Sequence, residues 1–476
     1  MINSRLSKNA LIYLFGGVIA AGGNFLLTPI YINILNVSDY GNWSKFLLLF
    51  QIMSAIFGLG LMATMTRLLV NKKSSRIDVY LSTSIWISSI YSLSVVALLI
   101  FANTFLSYYY NVEGLFNIDL DYYVYAGICA ASLVFMQILM GKYLLNEEAV
   151  KYRGISLISF SLQLIFLFSY LYIVNKATLL GVILTMLTGM VAAGFFALAI
   201  LMARHGKIFE KKAAKKILSY SVPVAFYIIA GQANDLGARF MLISFVDDIE
   251  IGIFTAIFMY TSVIAMAASA INLAWVPIFY KNYQVFMIGN IYKNSTKVFS
   301  ALTAALTLVL VFFSEWFFFA YSSGKIEVDR VLITTLAIYF WMSSSIWMSV
   351  SNPLFFKKKT KIIFHLTLLA FLQTIVITYF LIREYGSNGA SAGLIINSIF
   401  MILYGYYYLK KYDLDCIDYK YIIKIFLLLV LIFNMYIQES IDTGSIVIIV
   451  FISLFYIFIS VRKDMVKLLD SVKASV

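Results

Sequence analysis

The sequence predicts an all-α polytopic membrane protein of 14 transmembrane helices, set out as two pseudo-symmetric six-helix lobes and a C-terminal helix pair. Three observations carry this reading. The first is composition: 476 residues that are 62% hydrophobic and only 12% charged, more apolar surface than a water-soluble domain can hide. The second is the alternation of charge. Of 36 Lys and Arg residues, 30 fall in the termini and in every second connection between apolar stretches. Four fall in the intervening connections (Lys176, Lys325, Arg330 and Arg383), and two, Lys45 and Arg239, fall within helices. Lys and Arg are retained on the cytoplasmic side of a membrane, so the pattern predicts that both termini are cytoplasmic. The third is an internal repeat at an offset of about 211 residues.

The elements follow in order, each an apolar run of about 20 residues or more, the length needed to cross a bilayer. The first six helices are predicted at about 10–35, 43–66, 79–104, 122–144, 153–175 and 178–203. Arg5 and Lys8 precede a first run too long for a signal peptide, so it reads as a membrane helix. Together 1–203 form the N-terminal lobe. A linker, 204–216, follows with six Lys or Arg and one Glu, the most basic segment of the chain. The next six helices, about 217–245, 252–280, 298–321, 331–352, 362–382 and 388–409, form a C-terminal lobe over 217–409. Residues 410–476 hold a last pair at about 421–438 and 444–461, and a cytoplasmic tail.

The repeat places helix one on helix seven without gaps. Ile34–Trp43 overlays Phe245–Phe254, so that Gly41 meets Gly252, Asp39 meets Glu250 and Asn24 meets Asp235. An acid two residues before a glycine suits an outward turn, or a close approach into the next helix. An offset of six helices means that both copies face the same way, related by an axis along the membrane normal. Such halves enclose a central site and rock about it.

Several function classes are set aside. The net charge of +13 sits in short loops on one side, which topology and anionic lipid headgroups explain, so nucleic acid is no partner. Cys129 and Cys416 lie in opposite environments and make no disulfide. His205 and His365 lack Cys or carboxylate partners at ligand spacing, so neither a metal nor another cofactor is expected. The sequence contains no Gly-x4-Gly-Lys-Ser/Thr run for ATP and no His-Glu-x-x-His. Asp119-Leu120-Asp121, an acid pair of the kind used by some membrane glycosyltransferases, reads as a solvated loop. The chain therefore reads as a transporter, not an enzyme.

Four stretches carry a family resemblance: Leu6-Ser7-Lys8-Asn9, the run Pro29–Gly41, Phe57-Gly58-Leu59-Gly60 leading to Arg67, and Tyr385-Gly386-Ser387-Asn388-Gly389-Ala390. With the helix count and the repeat, the chain resembles the multidrug/oligosaccharidyl-lipid/polysaccharide (MOP) exporters, and most of all their O-antigen and capsule branch, the Wzx-type flippases. The resemblance implies two lobes in a V that open alternately to each side of a bacterial inner membrane. It implies an undecaprenyl-diphosphate-linked oligosaccharide as cargo, with membrane lipids, a polysaccharide polymerase and a chain-length regulator as partners. Two other branches stay open: an ion-coupled drug/cation antiporter, which calls for a cluster of carboxylates, and a lipid II flippase, which calls for an arginine-rich cavity. From another class, an envelope polymerase or glycosyltransferase calls for a large outward loop.

Ionisable groups within helices are the candidate site, because each costs at least about 2.5–3.5 kcal/mol to insert. Asp235 and Arg239 stand four apart on helix seven, on one face and in a polar stretch, Gly231–Asp235. They read either as a salt bridge that pins helix seven, or as the wall of a wet cavity where Arg239 meets a diphosphate and Asp235 couples an ion. Asn24 would face them. Arg67 and Lys281 end helices two and eight on the cytoplasmic side, by snorkelling or as a basic entrance for the diphosphate. Lys45, near the outer end of helix two, reads as a snorkelling residue.

Overall fold

Lipid offers no hydrogen bonds to a backbone, so apolar runs of this length form helices that satisfy their own peptide groups. A computed structural model of the protein describes residues 27–69, 74–110, 112, 114–115, 117–146, 148–174, 176–205, 208–281, 291–357, 359–412, 414, 417–438 and 443–475. Among these residues, 11 stretches are long and apolar enough to cross a membrane. They correspond to predicted helices two to thirteen, because one stretch, Lys361–Lys411, holds two of them. Most of predicted helix one, with Asn24, lies outside the described residues, as does Cys416.

Backbone contacts group the chain into two units, Met1–Gly252 and Ile253–Val476. The first unit begins with helix α1 (27–34), followed by α2 (Val37–Gly58), α3 (Leu61–Leu69) and α4 (Ser74–Tyr110). A two-stranded hairpin, β1 (Gly114–Leu115) and β2 (Ile118–Asp119), pairs antiparallel with Leu115 opposite Ile118. Then come α5 (Leu120–Leu145), α6 (Ala149–Ile173), α7 (Leu179–His205) and α8 (Lys211–Leu242). The core of this unit is built on Phe57, Leu81, Ile85, Leu139 and Ala197, each fully buried, and on Val134, 1% exposed. Although the repeat assigns α8 to the second half, it packs in this unit against α2, α3 and α4.

The second unit takes up most of α9 (Asp248–Thr261), then α10 (Val263–Lys281), α11 (Ile291–Phe312), α12 (Ser314–Ser322) and α13 (Arg330–Trp341). A π-helical turn, Met342–Ile346, joins α13 to α14 (Trp347–Phe356). Next is α15 (Thr360–Lys411), whose 52 residues would reach about 78 Å as one rod, far more than the roughly 30 Å of a hydrocarbon core. Gly386, at φ 53° and ψ −130°, breaks it into a hairpin, a backbone open to glycine and strained for other residues. The two arms touch: a side chain at Gly389 would meet the Leu381 carbonyl, and one at Gly393 would meet Thr378. The tip is held by Asn388, whose amide donates to Asp329 Oδ2 at 3.0 Å, while Asp329 Oδ1 caps α13. Last come α16 (Tyr419–Ile437) and α17 (Thr443–Ser475), which lies along α11.

Candidate translocation site

The repeat is visible first in the helix starts. Asn36 Oδ1 caps α2 by accepting from Asp39 N at 2.7 Å. Its counterpart Asp247 Oδ1 accepts from Glu250 N at 2.8 Å at the start of α9. In both copies an acid in the first turn faces the positive end of the helix dipole. The outward turn expected at Asp39–Gly41 is therefore helix, and α2 starts six residues before the predicted position 43. The cap moved it: Asn36 gives the chain a helix-start signal that apolarity alone does not register.

The paired glycines serve the close approach. A Cβ on Gly41 would strike the carbonyl oxygen of Asp248, and one on Gly252 would lie 2.7 Å from the carbonyl oxygen of Val37. Val37 and Asp248 are themselves repeat partners, so the contact is reciprocal, and α2 meets the start of α9 backbone to backbone. One turn along, Lys45 Nζ reaches Asp248 Oδ1 at 2.5 Å and donates to the Asn117 carbonyl at 2.9 Å. Asn42 Nδ2 donates to the other Asp248 oxygen at 2.8 Å. Asn117, at φ 54° in the β1–β2 turn, donates in turn to the Ile243 carbonyl at 3.2 Å. Lys45 is 5% exposed, so the snorkelling expected from its place near the helix end is corrected: a carboxylate and a carbonyl within reach hold the ammonium inward.

Toward the basic face, Phe57-Gly58-Leu59-Gly60 ends α2 and begins α3. Leu59 and Gly60 both take positive φ, 46° and 60°. A Cβ on Gly60 would lie 2.8 Å from Val224 Cγ1 and 3.0 Å from the Ala225 nitrogen, so the break nests on α8 beside Pro223. A cavity of about 350 Å³ opens at the break, lined by Ser54, Gly58, Gly60, Gln137, Leu144 and Gln232, among others. Two glutamine side chains on its wall offer amide donors and acceptors without charge, a chemistry that suits hydroxyl-rich ligands.

Of the predicted site residues, Asp235 and Arg239 stand one turn apart on α8, and the side chain described is that of Arg239. Arg239, on α8, is 4% exposed, and its charge acts on Tyr40, whose hydroxyl is hydrogen-bonded to Thr28. Asp235 lies one turn before it on α8, Arg67 lies on α3, and Lys281 ends α10; the side chains of these three lie outside the described residues. The second unit has a cavity of its own, about 170 Å³, between α10, α11 and α14. There Asn352 Nδ2 donates to Asn272 Oδ1 at 2.8 Å and the Tyr292 hydroxyl to the Ser349 carbonyl at 2.7 Å, with Trp275 and Phe299 beside them.

Residues 6–283, more than half of the sequence, match the family described as polysaccharide biosynthesis protein. The chain belongs to this family. The match bears out the resemblance to polysaccharide exporters of the MOP superfamily. No curated protein matches the sequence. Among solved structures, the fold is similar to lipid II flippase MurJ in an inward closed conformation, at 15% identity and a TM-score of 0.72, covering 98% of this chain and 99% of that one. It is also similar to a multidrug resistance MATE transporter of the MOP superfamily in an inward-facing conformation, at 14% identity and a TM-score of 0.65, covering 85% of this chain and 99% of that one. A Vibrio cholerae MATE transporter, solved as a point mutant, aligns at 16% identity and a TM-score of 0.59, covering 86% of this chain and 97% of that one.

In this polysaccharide biosynthesis protein, sequence reasoning missed Gln137 and the Lys45–Asp248 pair. The pair left one trace: a lysine in an apolar run, one turn beyond the glycine that the repeat aligns with Gly252.

Proposed function

We propose that this chain is a flippase that moves an undecaprenyl-diphosphate-linked oligosaccharide repeat unit from the cytoplasmic to the outer leaflet of a bacterial inner membrane, for O-antigen or capsule assembly. In this reading 14 helices cross the bilayer, with both termini cytoplasmic. Two six-helix lobes, 1–203 and 217–409, joined by the 204–216 linker, alternate in access, and 410–476 adds the last pair. A polymerase and a chain-length regulator take up the product. The observation that carries the reading is the cavity at the broken helix, whose otherwise apolar wall presents the uncharged side chains of Ser54, Gln137 and Gln232, in a member of the polysaccharide biosynthesis family. Sugar hydroxyls need hydrogen-bond partners inside a membrane, and Gln137 and Gln232 supply them.

The two phosphates need cations. Arg67 and Lys281 form the cytoplasmic entrance in this proposal, and Arg239 receives the diphosphate as it crosses, opposite Asn24. Asp235 couples an ion, whose passage across 100 mV yields about 2.3 kcal/mol per charge. The similarity to transporters of the MOP fold supports alternating access.

The test is genetic and chemical. In cells lacking the gene and any redundant exporter, undecaprenyl-linked repeat units should accumulate on the cytoplasmic side; continued export and polymerisation would remove the flippase reading. Gln137→Leu with Gln232→Leu should lower export about tenfold at unchanged membrane level, about 1 kcal/mol or less for each neutral hydrogen bond lost. Arg239→Ala should cripple export with insertion intact, and wild-type export from it would return Arg239 to a structural role.

A further inference from the structure

The linker 204–216 is not a slack tether where it is described. Ile208 N donates to Ser82 Oγ at 2.9 Å, and Glu210 N to Thr83 Oγ1 at 3.3 Å. His205 Nδ1 lies 2.8 Å from Asp78 Oδ1. These contacts bind the linker across the start of α4 and leave a cavity of about 380 Å³ between α4 and the first turns of α8. Its lining is Arg76, Tyr80, Glu210, Lys212, Ala213 and Lys216. Three cations face one carboxylate, and that carboxylate is already engaged with Arg76 Nη1 at 3.3 Å.

Two further features aim this cavity at a phosphate. Glu210 is the N-cap of α8, yet its side chain makes no capping hydrogen bond, because Arg76 draws it aside. The first-turn amides of a 32-residue helix therefore lack that carboxylate, and such amides attract anions. The position is also specific. One stretch long and apolar enough to cross a membrane begins at Arg76 and another at Lys211, so the cavity stands at the ends of two spans, the side on which lipid headgroups are within reach. At roughly 30 Å³ per water, its volume holds on the order of ten waters, room for a headgroup phosphate.

We infer that the Arg76–Lys212–Lys216 cavity is a binding site for the phosphate of a membrane-lipid headgroup on the basic face of the protein. This inference is independent of what the protein transports. The full chain, purified into nanodiscs of phosphatidylcholine with graded phosphatidylglycerol, is released for native mass spectrometry. Phosphatidylglycerol should be retained in preference to phosphatidylcholine. The double variant Lys212→Gln/Lys216→Gln should reduce retention about 25-fold, about fivefold per lysine. Glu210→Gln, which frees Arg76, should raise retention, an effect opposite to that of general destabilisation. Displacement by a polyprenyl diphosphate at equal mole fraction would support the site and identify the carrier lipid as its source. Equal retention of the two phospholipids, retention unchanged in the double variant, or displacement by millimolar inorganic phosphate alone would overturn it.

Discussion

The two copies of the repeat start alike and bend differently. At the starts of α2 and α9 the capping residue, the acid and the glycine are matched one for one, and each glycine lies against the partner position's backbone. Beyond that the copies part. The first breaks its helix outright at Leu59–Gly60, with two residues at positive φ and Gly60 close against α8. The second passes from α9 to α10 through Ser262 with helical hydrogen bonds on either side, Ser262 N to the Phe258 carbonyl and Met266 N to the Ser262 carbonyl. There Thr261 and Ser262 return their hydroxyls to Ile257 and Met259, which bends a helix without cutting it. The repeat thus keeps the backbone contact, while each half redirects its helix by its own means.

Three groups of substitutions would break or sharpen this comparison. Gly41→Ala has the largest expected effect, because the added carbon meets a backbone carbonyl that cannot turn away. A loss of about 3 kcal/mol or more is expected, read as a lower thermal midpoint in detergent. Gly252→Ala, with its 2.7 Å approach, should lose less; equal tolerance of both would mean that the reciprocal contact does not hold the two helix starts together.

The Lys45–Asp248 pair comes next, and its two ends should differ. Asp248→Asn leaves a 5% exposed ammonium without its counter-charge, at about 3 kcal/mol. Lys45→Met leaves a carboxylate that is one-third exposed, which water can serve, at about 1 kcal/mol. A double variant more stable than Asp248→Asn alone would establish the coupling.

The smallest effect belongs to the second unit, which has an ion pair on the basic face. Lys297 lies 3.0 Å from Asp418 and 3.8 Å from Asp464, tying α11 to the last two helices. Burial pushes the Asp418 pKa up, but the Lys297 hydrogen bond, the Tyr421 N–H and the charges of Lys297 and Lys293 outweigh it, so the carboxyl sits below the ordinary range. Its folded pKa is depressed, so its stabilisation is complete above the unfolded value, about 3.9, and is lost as pH falls through the folded value. With both groups partly exposed the effect stays under about 1 kcal/mol. Thermal midpoints from about pH 5 to pH 3 should fall less steeply in Asp418→Asn than in the unaltered protein.

The helices were legible because the bilayer sets one length and one polarity for all of them. The repeat was legible because the close approach at Gly41 and Gly252 tolerates little else. The Leu59–Gly60 break was not: the motif stood out, but the positive-φ turn is fitted through Gly60 against Val224 and Ala225, on a helix more than 160 positions away. Lys45 was misread for the same reason. Its position on α2 is visible in sequence, whereas the Asp248 carboxylate that turns it inward comes from the far side of the repeat. Of the predicted site, Arg239 could be located by its charge, and Gln232 lay within the polar stretch Gly231–Asp235, but Gln137 carries no charge, and its place on one wall with Gln232 is read only once helices are set side by side.

The Gly386 hairpin has a consequence for how the protein is made. Its first arm carries Thr374 and Thr378, 1% and 0% exposed, and the second arm brings Gly393 against Thr378. With a connection this short, the arms have no slack in which to enter the membrane one after the other. They should leave the translocon as a single insertion unit, and a nascent chain stopped just after Gly386 should hold its first arm in the bilayer less firmly than one extended through Lys411.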